Sequence, residues 1–382
     1  MRISVRLPQV KPDEYRMPES CPYEGCKGQH YKPHTQKGED KPTRDLKVER
    51  VKAQRWRCLR CKRTFRVYPT GVSQAQQSDR LKALSVLLYV LGISYGGVSD
   101  VLAALGVAIG KTTVYRNVQE AGVASRGKQR QELGGSARAV IGTDATFVKV
   151  QGVGVTVQIV VDDETEDLLG LDIIVSENEE AILEVVRDIA EEVEAEVIIS
   201  DDLDAYKNVA DALGLDHQIC RSHVKRNVDD LAVSISNQLG RLKEPVPRGV
   251  RSSPERLRAD LDVLQNLVRE RPSDAPQMLK SLYHRYKAAP AAKKGQRHTV
   301  WYRMRMLVTR LWENWSRLTL DQRRENLNGT NNSSERVIGW WAKERYRTMR
   351  GYKRTESIRN VVTLTARLGA RSGHYDMSEL YL

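Results

Sequence analysis

One aspartate interrupts the apolar, β-branched run AVIGTDATFVKV at 139–150. A carboxylate in a half-buried strand is expensive unless a partner, hydrogen bonds or a cation compensate it. Strand alternation puts Gly142, Asp144 and Thr146 on one face. Ile141, Ala145 and Phe147 lie on the other, which we read as the core face. A second carboxylate closes the short apolar run VIISDD. Asp201 follows that strand directly, and Asp202 is the competing candidate. The plain structural role for Asp201 is to cap the helix LDAYKNV. A third carboxylate, Glu335 in NGTNNSSERVIGWW, stands three residues after Asn332, which is the capping-box spacing. Taken together, the three could hold two divalent ions for phosphoryl transfer, and Mg²⁺ prefers such oxygen donors. On this reading Asp144 is tolerated because a cation compensates it.

Cysteine supplies a second chemistry. Cys21 and Cys26 pair in CPYEGC, and Cys58 and Cys61 pair in RWRCLRCKRTFRVY. Two tight thiol pairs across a basic linker predict one structural Zn²⁺ in a ribbon. Arg57, Arg60, Lys62 and Arg63 surround the second pair and are expected to face phosphate. The fifth cysteine lies in QICRSHVKRNV, which contains Cys220, His223, Arg226 and Asn227.

These residues need elements to hold them. Residues 78–125 read as helices, with a Gly-containing turn that gives a helix-turn-helix over 76–130. Its second helix is expected to run from Lys111 to Glu120 and to present Lys111, Thr112, Arg116 and Asn117 to DNA. The Gly-rich polar stretch 124–137 reads as a linker. Three strands follow with turns at QGVG and DDETED, then a helix, a short strand, a helix and another short strand. That order predicts a mixed sheet with helices on its faces. From about 224 to 325 there is no strand pattern, and a helical insertion is expected. Two more helices close the chain, one from about Ser334 and one over TESIRNVVTLTARLGA.

The pattern IGTDATF, IISDD and TNNSSER, with Cys-x-x-His and Arg-Asn after the second aspartate, resembles DDE transposases of prokaryotic insertion sequences, closest to the Mutator-like group. The resemblance covers roughly 135–370. It implies an α/β fold: an RNase H-like mixed sheet interrupted by an all-α insertion, preceded by an N-terminal zinc ribbon and a helix-turn-helix. The boundaries expected are 1–75 for the ribbon and 76–130 for the helix-turn-helix, both read from the residues, with 135–228 and 326–372 for the catalytic domain and 229–325 for the insertion. It implies that Asp144, Asp201 and Glu335 are catalytic and hold two Mg²⁺ or Mn²⁺ ions. It places Cys220 and His223 beside the metals, and Arg336, Arg345, Arg347 and Arg350 along the DNA path. The implied partners are double-stranded DNA (terminal inverted repeats and target) and further copies of the chain, as a homodimer or higher oligomer. Two other classes share parts of this pattern: a non-catalytic DNA-binding regulator, and a structure-selective nuclease without strand transfer.

Composition agrees in kind. The 382 residues carry a formal net charge of +13, which favours a polyanionic partner. The charge is segregated. Residues 41–67 hold 11 Lys or Arg against 2 Asp or Glu, whereas 162–194 are acidic with Arg187 alone opposing. No apolar run reaches membrane-spanning length, and the start lacks the apolar core of a secretion signal, so a cytoplasmic protein with no membrane partner is expected.

Overall fold

The computed structural model describes residues 4–35, 37–73, 76–133, 137–241, 244–349, 351–369 and 375–381. The N-terminal strands are short: β1 (Val5–Arg6), β2 (Lys11–Tyr15), β3 (Tyr31–Pro33), β4 (Glu39–Pro42), β5 (Arg50–Cys58), β6 (Thr64–Val67) and β7 (Pro69–Thr70). β5 is their spine and pairs antiparallel with β3, β4 and β6. The apolar content of this unit is small. Cys21, Cys58, Phe65 and Val67 form a buried cluster, with Tyr31 edge-on to Phe65 at 5.1 Å, and Val51 and Ala53 of β5 are buried as well.

Three helices follow: α1 (Asp79–Val90), α2 (Tyr95–Ala104) and α3 (Lys111–Leu133). Ser78 and Ser94 cap the first two by accepting from the backbone N–H groups of Leu81 and Gly97. α3 runs well past Glu120, so the stretch 124–133 is helix rather than linker. Its tail is held against the last long helix, α12 (Thr355–Gly369), by Arg126 on Glu356 and by Arg367 on Glu132. Gly122 makes that packing possible, since a Cβ there would lie 2.5–2.8 Å from Asn360. Tertiary contacts thus override Gly127 and a polar sequence that argued for a loop; residues 134–136 of the expected linker lie outside the described residues.

The central sheet contains β8 (Val140–Val150), β9 (Val153–Asp162), β10 (Leu168–Ile174), β11 (Val197–Ser200) and β12 (Asp216–Ile219) in the order β10-β9-β8-β11-β12. β8, β9 and β10 form an antiparallel meander, and β11 and β12 extend it in parallel. This is the expected mixed α/β sheet. α4 (Glu179–Glu192) and α5 (Asp204–Leu213) cover one face. The other face shares one core with α1–α3, α12 and α10 (Asn332–Val337), together with the π-helical turn Ile338–Lys343 that continues α10. A short α11 (Glu344–Arg347) follows that turn, and β13 (Tyr375–Asp376) pairs with β1. The Ile141 face of β8 is buried at Ile141 and Thr143, whereas Phe147 on that face is 65 % exposed.

Between β12 and α10 lie α6 (Arg221–Arg241), α7 (Pro254–Glu270), α8 (Ala275–Tyr286) and α9 (Val300–Leu318). Their apolar faces build a separate core around the fully buried Trp301 and Tyr286. The described part of 224–325 is therefore helical, as expected, apart from its connecting loops. Among the described residues no helix is long and apolar enough to cross a membrane.

Candidate active site and nucleic-acid interface

β8 brings Asp144 to the middle of the sheet, and β11, its parallel neighbour, ends at Ser200 so that Asp201 starts the following loop. α10 lies directly on β8 because position 142 is glycine. A Cβ there would be 2.6 Å from Ser334 Oγ and 3.0 Å from Asn331 Oδ1. Asn331 fastens the approach: its Nδ2 donates to the Thr143 carbonyl at 2.9 Å, and its backbone N–H donates to Cys220 Sγ at 3.2 Å. One turn on, Glu335 Oε1 stands 3.2 Å from His223 Nε2. Glu335 is thus directed at the site rather than used as a capping-box residue; Asn332 is already helical, and Asn331 at the helix start makes no side-chain cap.

The electrostatics are those of an under-compensated acidic cluster. Burial first, then the charges of Asp201 and Glu335, push Asp144 up to about 6, against a hydrogen bond from the Ala145 N–H. Asp201 is also raised, mainly by burial; its Oδ1 accepts from the Leu203 N–H at 3.0 Å, an Asx turn leading into α5. His223 is raised by the Cys220 thiol beside it, then by Glu335 and Asp144, which favours its charged form. Cys220 is fully buried, yet its thiol is lowered because contact with His223 and the Asn331 N–H outweighs burial. Asp202 is occupied elsewhere: Lys207 Nζ lies 2.9 Å from its Oδ1, and Arg310 Nε lies 2.5 Å from its Oδ2.

Several supporting residues carried no sequence signal that we read. Gln158, fully buried on β9, donates to Thr143 Oγ1 at 2.7 Å and accepts from the Tyr206 hydroxyl at 3.2 Å. His217 links Ser200 Oγ at 2.9 Å to Arg317 of α9 at 3.2 Å, and burial holds it down at about 3, so it is neutral. A polar residue in a strand pattern looks like a solvent-facing position, and only the tertiary structure reveals it as buried.

At the N-terminus, Cys21, Cys26, Cys58 and Cys61 bring their four sulfurs within 4.8 Å of one another. Among the described residues no other set of three or more His, Cys, Asp and Glu side chains converges so tightly, so the three carboxylates span a wider site. Backbone N–H groups point at the second pair. They lower Cys58, chiefly through the Cys61 N–H, and take Cys61 down to about 6, chiefly through the Arg63 N–H. Gly28 is the close approach there: a Cβ would lie 2.7 Å from Cys58 Sγ.

The residues expected to meet DNA divide. Arg60, Lys62, Arg63, Lys111, Thr112, Arg116 and Arg347 are exposed, and Arg63 stacks over Tyr23 at 4.2 Å. Arg57 is half-buried and donates through Nε to the Lys62 carbonyl. Arg336 pairs with Glu166. Two expectations fail. Asn117 is 2 % exposed and spends its carboxamide on Gln77 and Ser85. Arg345 is 3 % exposed, with its guanidinium over Tyr89 and bonded to Thr348. Helical periodicity did not separate the inward face from the outward one at these positions. Arg350 lies outside the described residues.

A mixed sheet that gathers acidic side chains from β8, the end of β11 and a late helix, preceded by a four-thiol ribbon, defines the class. The model of the Transposase IS66 family matches residues 75–349, and the chain belongs to that family. The family match does not reach the finer Mutator-like likeness read from the sequence. Among solved structures, the HTLV-2 integrase catalytic core domain in complex with magnesium (trimeric form) is similar at 13 % identity. That alignment covers 44 % of this chain and 97 % of that one with a TM-score of 0.21, too slight to argue from. No curated protein matches.

Proposed function

We propose that this chain is a DNA transposase that binds the terminal inverted repeats of its element, cleaves the ends and joins them to target DNA. Asp144, Asp201 and Glu335 are its catalytic carboxylates. The observation that carries the reading is their convergence on one partly buried site, where Asp144 is held at about 6 by burial and by the other two charges. The strand order β10-β9-β8-β11-β12 supports an RNase H-like catalytic domain.

The donor set fits Mg²⁺ or Mn²⁺. It is all carboxylate oxygen, and a divalent cation would relieve the repulsion that raises Asp144. Bound there, two such ions would lower the pKa of the attacking water or 3′-hydroxyl and neutralise charge on the phosphoryl group and leaving oxygen. The protein's own residues prepare the site. His223 holds Glu335, and the Cys220–Asn331 contact fixes α10 to the start of α6. Lys207 and Arg310 keep Asp202 apart, which supports Asp201 as the second ligand. The cysteine set fits one Zn²⁺, and the ribbon, with Arg57, Arg60, Lys62 and Arg63, would grip DNA beside α3, where Lys111, Thr112 and Arg116 stand exposed. Holding two DNA ends together calls for a homodimer or higher oligomer.

The test is a plasmid carrying the gene's own flanking DNA, incubated with the protein and Mg²⁺ or Mn²⁺ beside a target plasmid. Metal-dependent cuts at the flanks, with joined products, are expected. Tight flank binding without cutting would turn the reading to a DNA-binding regulator, and cutting without joining would turn it to a nuclease.

A further inference from the structure

A cavity of about 720 Å³ opens between the α1–α3 helices and the segment that joins α11 to α12. None of the three carboxylates lines it, and none of its lining residues is acidic. One wall is aromatic. Tyr95 stacks on Tyr89 with ring centres 4.3 Å apart and an interplanar angle of 8°, and Tyr115 stands edge-on to Tyr95 at 5.5 Å. Tyr352 lines the far side. The cations are Lys111, Arg345, Lys353 and Arg354. Of these Arg345 backs the aromatic stack, 4.1 Å from the Tyr89 ring centre, and the others are exposed at the rim.

We propose that this cavity holds one unpaired nucleotide of the DNA substrate, with the base against the tyrosines and the phosphates on the rim cations; the proposal rests on the transposase reading. A planar apolar ring joined to an anion is what aromatic walls and an all-cationic rim select. A base inside a duplex is already stacked on both faces, so only an unstacked one can enter. DNA is the source rather than a free nucleotide because the cationic surface continues past the cavity. Lys111 and Thr112 begin α3, and the exposed Arg116 lies one turn further along it.

The experiment uses the full chain without added divalent cation, and compares a blunt duplex with the same duplex carrying a three-nucleotide overhang. 2-Aminopurine is placed in the overhang or in the paired region. Wild type is expected to bind the overhang DNA about ten-fold tighter than the blunt DNA and to quench 2-aminopurine in the overhang alone. Tyr95→Ala should lose the preference, within the roughly five- to hundred-fold range that one stacked base spans, and Tyr95→Phe should keep it. Tyr95 touches the core, so the Lys353→Gln/Arg354→Gln double variant, altered at exposed side chains, is the companion; it should lower overhang affinity more than blunt. Equal affinity for both DNAs, with no quenching, overturns this proposal and leaves the transposase reading standing. Competition by free deoxyadenosine monophosphate as strong as by the overhang overturns the DNA source. No binding to either DNA overturns both readings.

Discussion

Asp144 is costly where it stands. In the folded chain it titrates at about 6 rather than 3.8, chiefly because it is buried. Between about pH 4 and pH 6 the folded state keeps a proton that the unfolded state has lost, so this residue's contribution to stability falls as pH rises through that window. The displacement corresponds to roughly 3 kcal/mol at neutral pH as an upper figure. Asp144→Asn should therefore be more stable than wild type by about 1–3 kcal/mol at pH 7.5 without divalent cations, and nearly equal to it at pH 4, as read by urea unfolding. Adding Mg²⁺ should raise the wild-type midpoint and leave the variant's unchanged. A variant less stable than wild type at pH 7.5 would mean that the carboxylate is satisfied by the protein alone. Asp144 and Asp201 were legible in the sequence, because a charged residue in or directly after an apolar strand breaks a strong pattern; Glu335, on a helix and at capping-box spacing, stood out only beside the other two. The choice between Asp201 and Asp202 was not legible, since Lys207 and Arg310 reach Asp202 only through the fold.

At the scale of elements, the site depends on how closely α10 rides on β8. Gly142 sets that distance, and alanine there would meet Ser334 Oγ at 2.6 Å. Overpacking of this kind costs about 1–3 kcal/mol. Gly142→Ala should lower stability by that order and, by shifting Glu335 relative to Asp144, reduce DNA cleavage at least ten-fold while leaving DNA affinity within about two-fold. Equal losses of binding and cleavage would show that the close approach serves the fold in general rather than the site. The elements themselves were largely readable: the meander, the two short parallel strands and the helical insertion follow from periodicity and turn residues. The linker expectation misled over 124–133 because composition describes a segment alone, whereas Arg126, Gln129 and Glu132 find their partners on α12 and β10. Asn117 misled for a similar reason, with Gln77 and Ser85 bonded to a side chain expected to face DNA.

Across the whole molecule, stability is unevenly supplied. The sheet and the insertion have large apolar cores, whereas the ribbon buries little apolar surface besides Cys21, Val51, Ala53, Cys58, Phe65 and Val67. A unit this small would rely on a metal at its four thiols for folding. The purified chain should carry one Zn²⁺. Its removal by a chelator at neutral pH should open residues 21–67 to protease and weaken DNA binding, while the fragment containing the sheet and insertion stays protected. A ribbon equally protected with and without chelator would contradict the four-thiol metal site. Shared cores are the part least visible from sequence. Leu81, Val98 and Val114 of α1–α3 pack in the same cluster as Val157 of the sheet and Ile358 of α12, so the helices expected to bind DNA are joined to the central sheet rather than tethered to it.

The measurement that bears most directly on the central claim exchanges the ligand atoms themselves. Thiolate is a poor donor to Mg²⁺ and a better one to Mn²⁺. Single-turnover cleavage of the flanking DNA by Asp144→Cys, Asp201→Cys, Glu335→Cys and Asp202→Cys should be compared in the two metals. The first three should be inactive with Mg²⁺ and recover measurable cleavage with Mn²⁺. Asp202→Cys should show the same metal preference as wild type. Cleavage with Mg²⁺ by any of the first three, or a switch in metal preference confined to Asp202→Cys, would contradict the assignment of Asp144, Asp201 and Glu335 as the metal-binding carboxylates.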